Sequence, residues 1–207
     1  MKNLKNFKTI SIFAFSLFIS SISLMSCSKN DEPTAVTPVT PITPLAPEQD
    51  PLNGYLIASG FNQVTSSFVN NSDRELGYSF IPLVNGKITA IVVKIPDTRS
   101  ALRVTIWDKV TGGALRTESI NVTTADTEVT KTIAPLELIK DKEYVISMNT
   151  NDLYVHKKTD SSNALYPFEV GDIKITSFVI GSSTLQVIPN LIINYQYVGD
   201  CSFKFQK

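Results

Sequence analysis

Aromatic and polar side chains alternate on two segments of this chain, in a pattern typical of a sugar-binding surface. Trp107 follows Arg103 and Thr105 at two-residue spacing, and Tyr154 precedes His156 in the same way. Side chains two residues apart share one face of a strand. Flat rings beside hydrogen-bonding groups suit the apolar faces and the hydroxyls of a sugar ring. We predict a ligand-binding surface, with a glycan as its ligand, formed by Trp107, Arg103, Tyr154 and His156.

A role in the hydrophobic core is the alternative for these aromatic residues. A bulge in the strand would turn Trp107 inward, where its large ring would complete the core. Tyr195 and Tyr197 alternate with polar residues in the way that core aromatic residues do. The sequence alone leaves both orientations of Trp107 open.

Catalytic motifs are not found in the sequence. It contains no HExxH, no GxSxG and no glycine-rich phosphate loop, and its single histidine, His156, excludes any site that needs two. Glycoside hydrolysis needs only two carboxylates roughly 5 to 9 Å apart. The glutamates available for such a pair are Glu118, Glu128, Glu137, Glu143 and Glu169. We expect a protein that is not an enzyme, and keep a small glycoside hydrolase as the third hypothesis.

Oxygen-bearing side chains cluster most densely at Asn70, Asn71, Asp73 and Glu75. This loop is the candidate for a structural calcium site, because calcium prefers carboxylate and carbonyl oxygens. The spacing is not that of an EF-hand, and clusters of Asn and Asp are common in ordinary turns. We therefore predict no cofactor and no metal, with this loop as the one place for calcium.

Period-two alternation predicts β-structure throughout residues 52–207. Leu102, Val104 and Ile106 alternate with polar residues, which is the pattern of a half-buried strand. No window of a dozen residues has sustained helical periodicity, and turn residues separate many short apolar segments. The expected fold is all-β, an antiparallel β-sandwich or jelly roll.

Two local features refine this expectation. Asn85 and Gly86 form the dipeptide that suits a type I′ turn, so a hairpin is predicted between the segments on either side. Cys201 alternates with Phe203 and Phe205, which predicts a thiol that points into the core.

Four segments between residues 77 and 156 carry a family resemblance. They read GKITAIVVKIP, LRVTIWD, LELIKDKEYVISMN and LYVH. In this order they resemble bacterial secreted β-sandwich domains of unknown function, which accompany glycan-active enzymes. The resemblance implies a binding or display module, and it assigns no catalytic residue.

The first 26 residues have the three parts of a secretory signal peptide. Lys2, Lys5 and Lys8 form a basic leader, and an uncharged segment runs from residue 10 to residue 24. An uncleaved anchor is the alternative, but a membrane-spanning helix needs about 20 consecutive apolar residues and serines interrupt this segment. Residues 24–27, Leu-Met-Ser-Cys, resemble the lipobox of bacterial lipoproteins. The resemblance implies cleavage before Cys27 and lipidation of its thiol.

The residues after Cys27 predict where the protein is displayed. Lys29, Asp31 and Glu32 resemble the signal that exports lipoproteins of some Gram-negative bacteria to the cell exterior, with Asn30 as a departure from it. This implies an outer-membrane protein, anchored by lipid and facing outward. Six of the 11 prolines lie in residues 28–51, where Val-Thr-Pro-like triplets repeat. We therefore predict a disordered, extended tether over residues 27–51.

Charge excludes one class of partner. Without residues 1–26 the chain has 16 basic and 19 acidic residues, a net charge of −3. No basic patch is present, and binding to nucleic acid depends on clustered Lys and Arg. The expected partners are the membrane, through Cys27, and an extracellular glycan. The second hypothesis is a structural or adhesin-like module that binds another surface protein.

Overall fold

The computed structural model describes residues 45–181 and 185–207 of the chain. The predicted signal peptide, Cys27 and nearly all of the tether lie outside these residues. The elements in chain order are α1 (Pro51–Ser59), β1 (Val64–Pro82), β2 (Gly86–Lys94), β3 (Arg99–Asp108), β4 (Ala114–Val122), β5 (Val129–Leu138), β6 (Tyr144–Lys157), β7 (Phe168–Val170), β8 (Ile173–Ile180), β9 (Leu191–Ile193), β10 (Tyr197–Val198) and β11 (Asp200–Gln206).

These strands form two antiparallel sheets that pack as a sandwich. The large sheet has the order β4-β3-β6-β1-β8-β7, with β10 paired to β6 and β9 paired to β8. The small sheet has the order β11-β2-β5. The predicted all-β class and the predicted antiparallel sandwich are confirmed.

The hydrophobic core lies between the two sheets. Leu102, Val104 and Ile106 of β3 are fully buried in it, as their alternation predicted. Cys201 of β11 is also fully buried, which confirms its predicted orientation. Burial raises the pKa of this thiol well above its usual value, so the protonated group packs as a small apolar side chain.

The outer face of the large sheet is covered rather than open to solvent. Residues 185–189, which we call the strap, cross this face after β8. Ile188 of the strap packs against Trp107 of β3. The amide of Gln186 donates hydrogen bonds to the hydroxyls of Thr105 and Thr117, at 3.2 and 2.6 Å. Residues 104–108 of β3 are therefore buried on both faces.

Helix α1 was not predicted, and it moves the start of the domain toward the N-terminus. Asp50 caps the helix by accepting a hydrogen bond from the backbone N–H of Leu52, and Pro51 occupies the first turn. Tyr55 faces the core and is fully buried. Gln49 pairs with Phe205 of β11 through two backbone hydrogen bonds of 2.8 Å. Residues 49–51 therefore belong to the domain, and the predicted boundary at residue 52 is corrected.

No helix in the described part of the chain is long and apolar enough to cross a membrane. Helix α1 has nine residues, and it serves the core through Tyr55. The Tyr55 ring lies edge-on to those of Phe61 and Tyr197, with centroids 6.4 and 5.3 Å apart. Such edge-on contacts stabilise aromatic pairs beyond the burial of their area.

The predicted hairpin at Asn85 and Gly86 is wrong. Strand β1 lies in the large sheet and β2 lies in the small sheet, so residues 83–85 connect the two layers. Neither Asn85 nor Gly86 has the positive φ that a type I′ turn requires. The Asn85 side chain instead accepts a hydrogen bond from the backbone N–H of Lys140, at 2.8 Å. The dipeptide therefore lies in a connection between the two sheets and not in a hairpin.

One irregularity in the large sheet lies in the pairing of β1 with β6. Strands β1 and β6 pair from Val64 opposite Lys157 to Val69 opposite Asp152, and pairing resumes with Arg74 opposite Thr150. Four residues of β1, numbers 70–73, thus face the single residue Asn151 of β6. We call the paired residues 64–69 and 152–157 the ribbon. An insertion of this kind bends the strand that carries it and increases the local twist.

Candidate functional site

Trp107, the predicted centre of the binding surface, is buried. Its ring is 3% exposed, and its indole N–H donates a 2.9 Å hydrogen bond to the hydroxyl of Ser147. It points to the outer face of the large sheet, as the alternation of β3 predicted. The strap covers that face, however, and Ile188 packs on the ring. Of the two orientations that the sequence left open, the structure has the buried one, and no inward bulge is needed to bury the ring.

Arg103, the second predicted residue, forms an ion pair with a buried carboxylate. Its guanidinium is 2.6 Å from one carboxylate oxygen of Glu75, and the Ser147 hydroxyl donates a 2.6 Å hydrogen bond to the other. Glu75 is 1% exposed. A buried carboxylate is costly unless it is paired and hydrogen-bonded. Arg103 therefore neutralises Glu75.

The proposed calcium loop does not gather its oxygens around one point. Both carboxylate oxygens of Asp73 accept hydrogen bonds from Arg99, at 2.9 and 2.8 Å, while Glu75 is bound to Arg103. The backbone carbonyl of Asn70 accepts a hydrogen bond from a neighbouring side chain, and Asn71 is exposed. Within residues 45–181 and 185–207, no cluster of three or more His, Cys, Asp or Glu could hold a metal ion.

Tyr154 and His156 lie side by side on the ribbon, as predicted, with ring centroids 6.4 Å apart. The Tyr154 hydroxyl donates a 2.5 Å hydrogen bond to Asp126, and the Lys94 ammonium lies 5.2 Å from the ring centre. Burial and Asp126 raise the pKa of Tyr154. His156 is 6% exposed, and its Nε2 is 2.6 Å from the carboxylate of Asp200. Only Tyr154 of this pair is available at the surface.

A concave aromatic surface does occur, at a different place. We call it the aromatic groove, and its volume is about 200 Å³. The rings of Phe68 and Tyr195 line it and are 53% and 48% exposed. Asn70, Arg74 and Gln196 contribute the polar groups. Its floor is formed by the aliphatic side chains of Leu76, Leu153, Val155, Ile180, Ile193 and Val198.

The ribbon and the segment after β9 bring the groove together. Phe68 lies opposite Leu153 in the pairing of β1 with β6, so the two side chains share one face. Arg74 and Leu76 follow the insertion in β1, and their two-residue spacing places both on the groove side. Tyr195 follows β9, whose pairing with β8 holds that segment beside the ribbon.

A second depression, which we call the polar cleft, lies on the other side of the ribbon. It has a volume of about 280 Å³ and is lined by Val69, Ile95, Asp97, Thr98, Arg99, Asn151 and Asp152. The backbone N–H of Asp97 donates a 2.9 Å hydrogen bond to Asp152. No aromatic ring lines it, and none of the five glutamates considered for hydrolysis lines either concavity.

Sequence reasoning missed both rings of the groove. The pattern that Tyr195 shares with Tyr197 is typical of core residues, yet only Tyr197 is fully buried. No alternation marks Phe68. A usable signal existed: Phe68 lies in the polar stretch TSSFVNN, where an apolar ring has no partner in its own segment.

The groove combines an apolar floor, two accessible rings and several hydrogen-bonding side chains, which is the composition of a small-molecule site. Its lining contains no Asp, Glu, Cys or His. No protein-family model matches the chain, and no curated protein matches it. The function is therefore inferred from the chemistry of the groove itself.

Proposed function

We propose that this protein is a lipid-anchored outer-membrane lipoprotein, displayed on the cell surface, whose β-sandwich binds a glycan in the aromatic groove. The observation that supports glycan binding is the pair of half-exposed rings, Phe68 and Tyr195, at one concavity. Rings at that exposure offer apolar faces for stacking on sugar rings. The polar side chains of the same groove offer hydrogen bonds to hydroxyl groups.

The anchoring part of the proposal follows from Cys27 and the residues around it. Two acyl chains on the thiol and a third on the new amine would hold the domain at the membrane stably, since each buried methylene contributes about 0.8 kcal/mol. Labelling with a fatty-acid analogue should mark the wild-type protein and not Cys27→Ser. Digestion of intact cells with a protease should remove the wild-type domain. Protection of that domain would contradict outward display.

Glycan binding is tested with the full-length protein purified in detergent, on an array of bacterial, plant and animal glycans. We expect Phe68→Ala and Tyr195→Ala each to weaken binding about 5-fold, because a well-placed ring contact contributes about 1 kcal/mol. Tyr154→Ala is the matched control, since it removes a ring from the other side of the ribbon. Its binding should equal that of the wild type.

Two results would contradict the proposed site. Binding that survives removal of both groove rings would place the glycan elsewhere. Loss of binding in Tyr154→Ala, with the fold intact by circular dichroism, would restore the surface first predicted from the sequence. A wild-type protein that binds no glycan on the array would reject the proposed function.

Protein binding is the second candidate function, and one observation favours it. Strand β9 pairs with β8 along one edge, and its Leu191 and Ile192 are 59% and 61% exposed. An exposed edge strand can pair with an extended segment of another protein. Replacing Ile192 with Pro would block such pairing. Loss of a co-purified surface protein from this variant, with glycan binding retained, would support the second function.

A further inference from the structure

Arg74 is the one arginine of the chain that forms no ion pair within the described residues. It is exposed, and it lines the aromatic groove. The other three arginines form the pairs Arg99–Asp73, Arg103–Glu75 and Arg116–Glu118. The groove therefore presents a guanidinium whose hydrogen-bond donors are available to a ligand.

The carboxylates nearest to Arg74 along the chain are not free to neutralise it. Asp73 and Glu75 flank it in β1, but adjacent side chains point to opposite faces of a strand. Both oxygens of Asp73 accept hydrogen bonds from Arg99, at 2.9 and 2.8 Å. Glu75 is 1% exposed and paired with Arg103. Moving either carboxylate toward Arg74 would leave another arginine without its partner.

The rest of the groove offers no compensating charge. Its lining contains no Asp or Glu, and its other polar side chains, Asn70 and Gln196, are neutral. The chain without residues 1–26 has a net charge of −3, so the protein as a whole does not attract anions. The positive charge of Arg74 is therefore a local property of the groove, placed beside two exposed rings.

We propose that the groove selects saccharides that carry a carboxylate, such as uronic acid units, and that Arg74 binds the carboxylate. The inference rests on the proposed glycan binding at the same groove. A guanidinium matches a carboxylate with two parallel hydrogen bonds, which makes arginine more selective than lysine for this group. Phe68 and Tyr195 then stack on the sugar units, and Asn70 and Gln196 bind hydroxyls.

The test compares each acidic saccharide with its own neutral form. The probes are oligomers of galacturonate, glucuronate, mannuronate and a sialylated sugar, each also in a carboxyl-reduced version, together with a sulfated oligosaccharide. Affinities are measured by calorimetry with the full-length protein in detergent. We expect at least one acidic probe to bind about 10-fold more tightly than its reduced form, because charge-assisted hydrogen bonds are the stronger ones.

Variants of Arg74 test whether its side chain causes the preference for the acidic probe. Arg74→Gln should remove the preference, so that the acidic and reduced forms of each probe bind with equal affinity. Arg74→Lys should keep only part of it, since an ammonium lacks the planar fork of donors. Arg116→Gln is the matched control, because Arg116 lies on β4 and does not line the groove. Added salt should weaken acidic binding in the wild type more than in Arg74→Gln.

The outcomes separate this inference from the proposed function. If the acidic and reduced forms bind with equal affinity, and Phe68→Ala loses this binding, selection by charge is overturned and glycan binding in the groove is supported. A preference that persists in Arg74→Gln would overturn the role of Arg74. Tighter binding of the sulfated probe than of every carboxylate would overturn the choice of anion. If no acidic probe binds, the inference fails, and neutral binding on the array decides the proposed function independently.

Discussion

The outer face of the large sheet and the aromatic groove contain similar residue types in opposite states. On the outer face Trp107 is buried under the strap, and the Arg103 guanidinium is paired with a buried carboxylate. In the groove Phe68 and Tyr195 are half exposed, and the Arg74 guanidinium has no ion pair among the described residues. The first region stabilises the fold, and the second is available to a ligand.

The contrast is sharpest along β1 itself. Glu75 and Arg74 are adjacent, yet Glu75 lies in a closed hydrogen-bonded network and Arg74 lines an open concavity. Period-two geometry separates them, because neighbouring side chains of a strand point to opposite faces. Residue type and spacing alone thus do not distinguish a structural charge from a binding charge. What distinguishes them is whether segments distant in the sequence cover the side chain.

The largest expected effect comes from breaking the buried pair. Arg103→Met leaves Glu75 buried without its charge partner, and should reduce the free energy of unfolding by about 3 kcal/mol. Urea denaturation followed by circular dichroism measures this. Replacing both residues, with Glu75→Leu beside Arg103→Met, should recover most of the loss. A single variant as stable as the wild type would contradict a structural role for Arg103.

A smaller effect is expected for the buried ring. Trp107→Phe removes the hydrogen bond that the indole N–H donates to the Ser147 hydroxyl, together with part of the contact with Ile188. We expect a loss of about 1 to 2 kcal/mol in the free energy of unfolding. Glycan affinity should not change. A drop in affinity without a drop in stability would return Trp107 to the binding site.

The pH dependence of stability tests a charge next to the buried ring. Lys142, 2.7 Å away, and two backbone N–H groups lower the pKa of Asp108 from 3.8 to about 2. A carboxyl group with a lower pKa in the folded chain stabilises the fold above the unfolded value, and loses this contribution as the pH falls to about 2.

The stability difference between wild type and Asp108→Asn should therefore be constant near neutral pH and shrink below pH 3.8, approaching its minimum at about 2. Denaturation curves of both proteins across this range measure it. A difference that grows on acidification would have the wrong sign and contradict the ion pair with Lys142.

The smallest effects on stability are expected in the groove. Arg74→Gln and Phe68→Ala change exposed side chains, so each should alter the free energy of unfolding by no more than about 0.5 kcal/mol. Thermal denaturation monitored by circular dichroism is sufficient. A large loss in either variant would show that the groove contributes to the fold, and would remove the contrast with Arg103.

Local patterns predicted the fold well where a strand has one face in the core. The alternation of Leu102, Val104 and Ile106 gave both a strand and its inward face, and Cys201 followed the same rule. The pattern could not show that residues 185–189 cover the opposite face, because they lie some 80 positions away in sequence. Burial of Trp107 is a tertiary effect, and alternation reports only local geometry.

The groove was beyond prediction for a related reason. Its two rings, Phe68 and Tyr195, come together only through the pairing of β1 with β6 and of β9 with β8. Helix α1 was missed because nine residues give too short a periodic pattern. The cap Asp50 followed by Pro51 is nonetheless a signal for the start of a helix. The predicted tether over residues 27–51 includes both residues, so the helix was not predicted there.

NMR can distinguish ligand binding in the aromatic groove, as proposed, from binding at the outer face of the large sheet. The chain has a single tryptophan, so its indole N–H signal is a unique reporter of the outer face in a nitrogen–proton NMR spectrum. On titration of the full-length protein with the tightest-binding saccharide, we predict shifts at Phe68, Arg74 and Tyr195 and an unchanged Trp107 indole signal. A shifted indole signal with unchanged groove signals would place the ligand at the outer face instead.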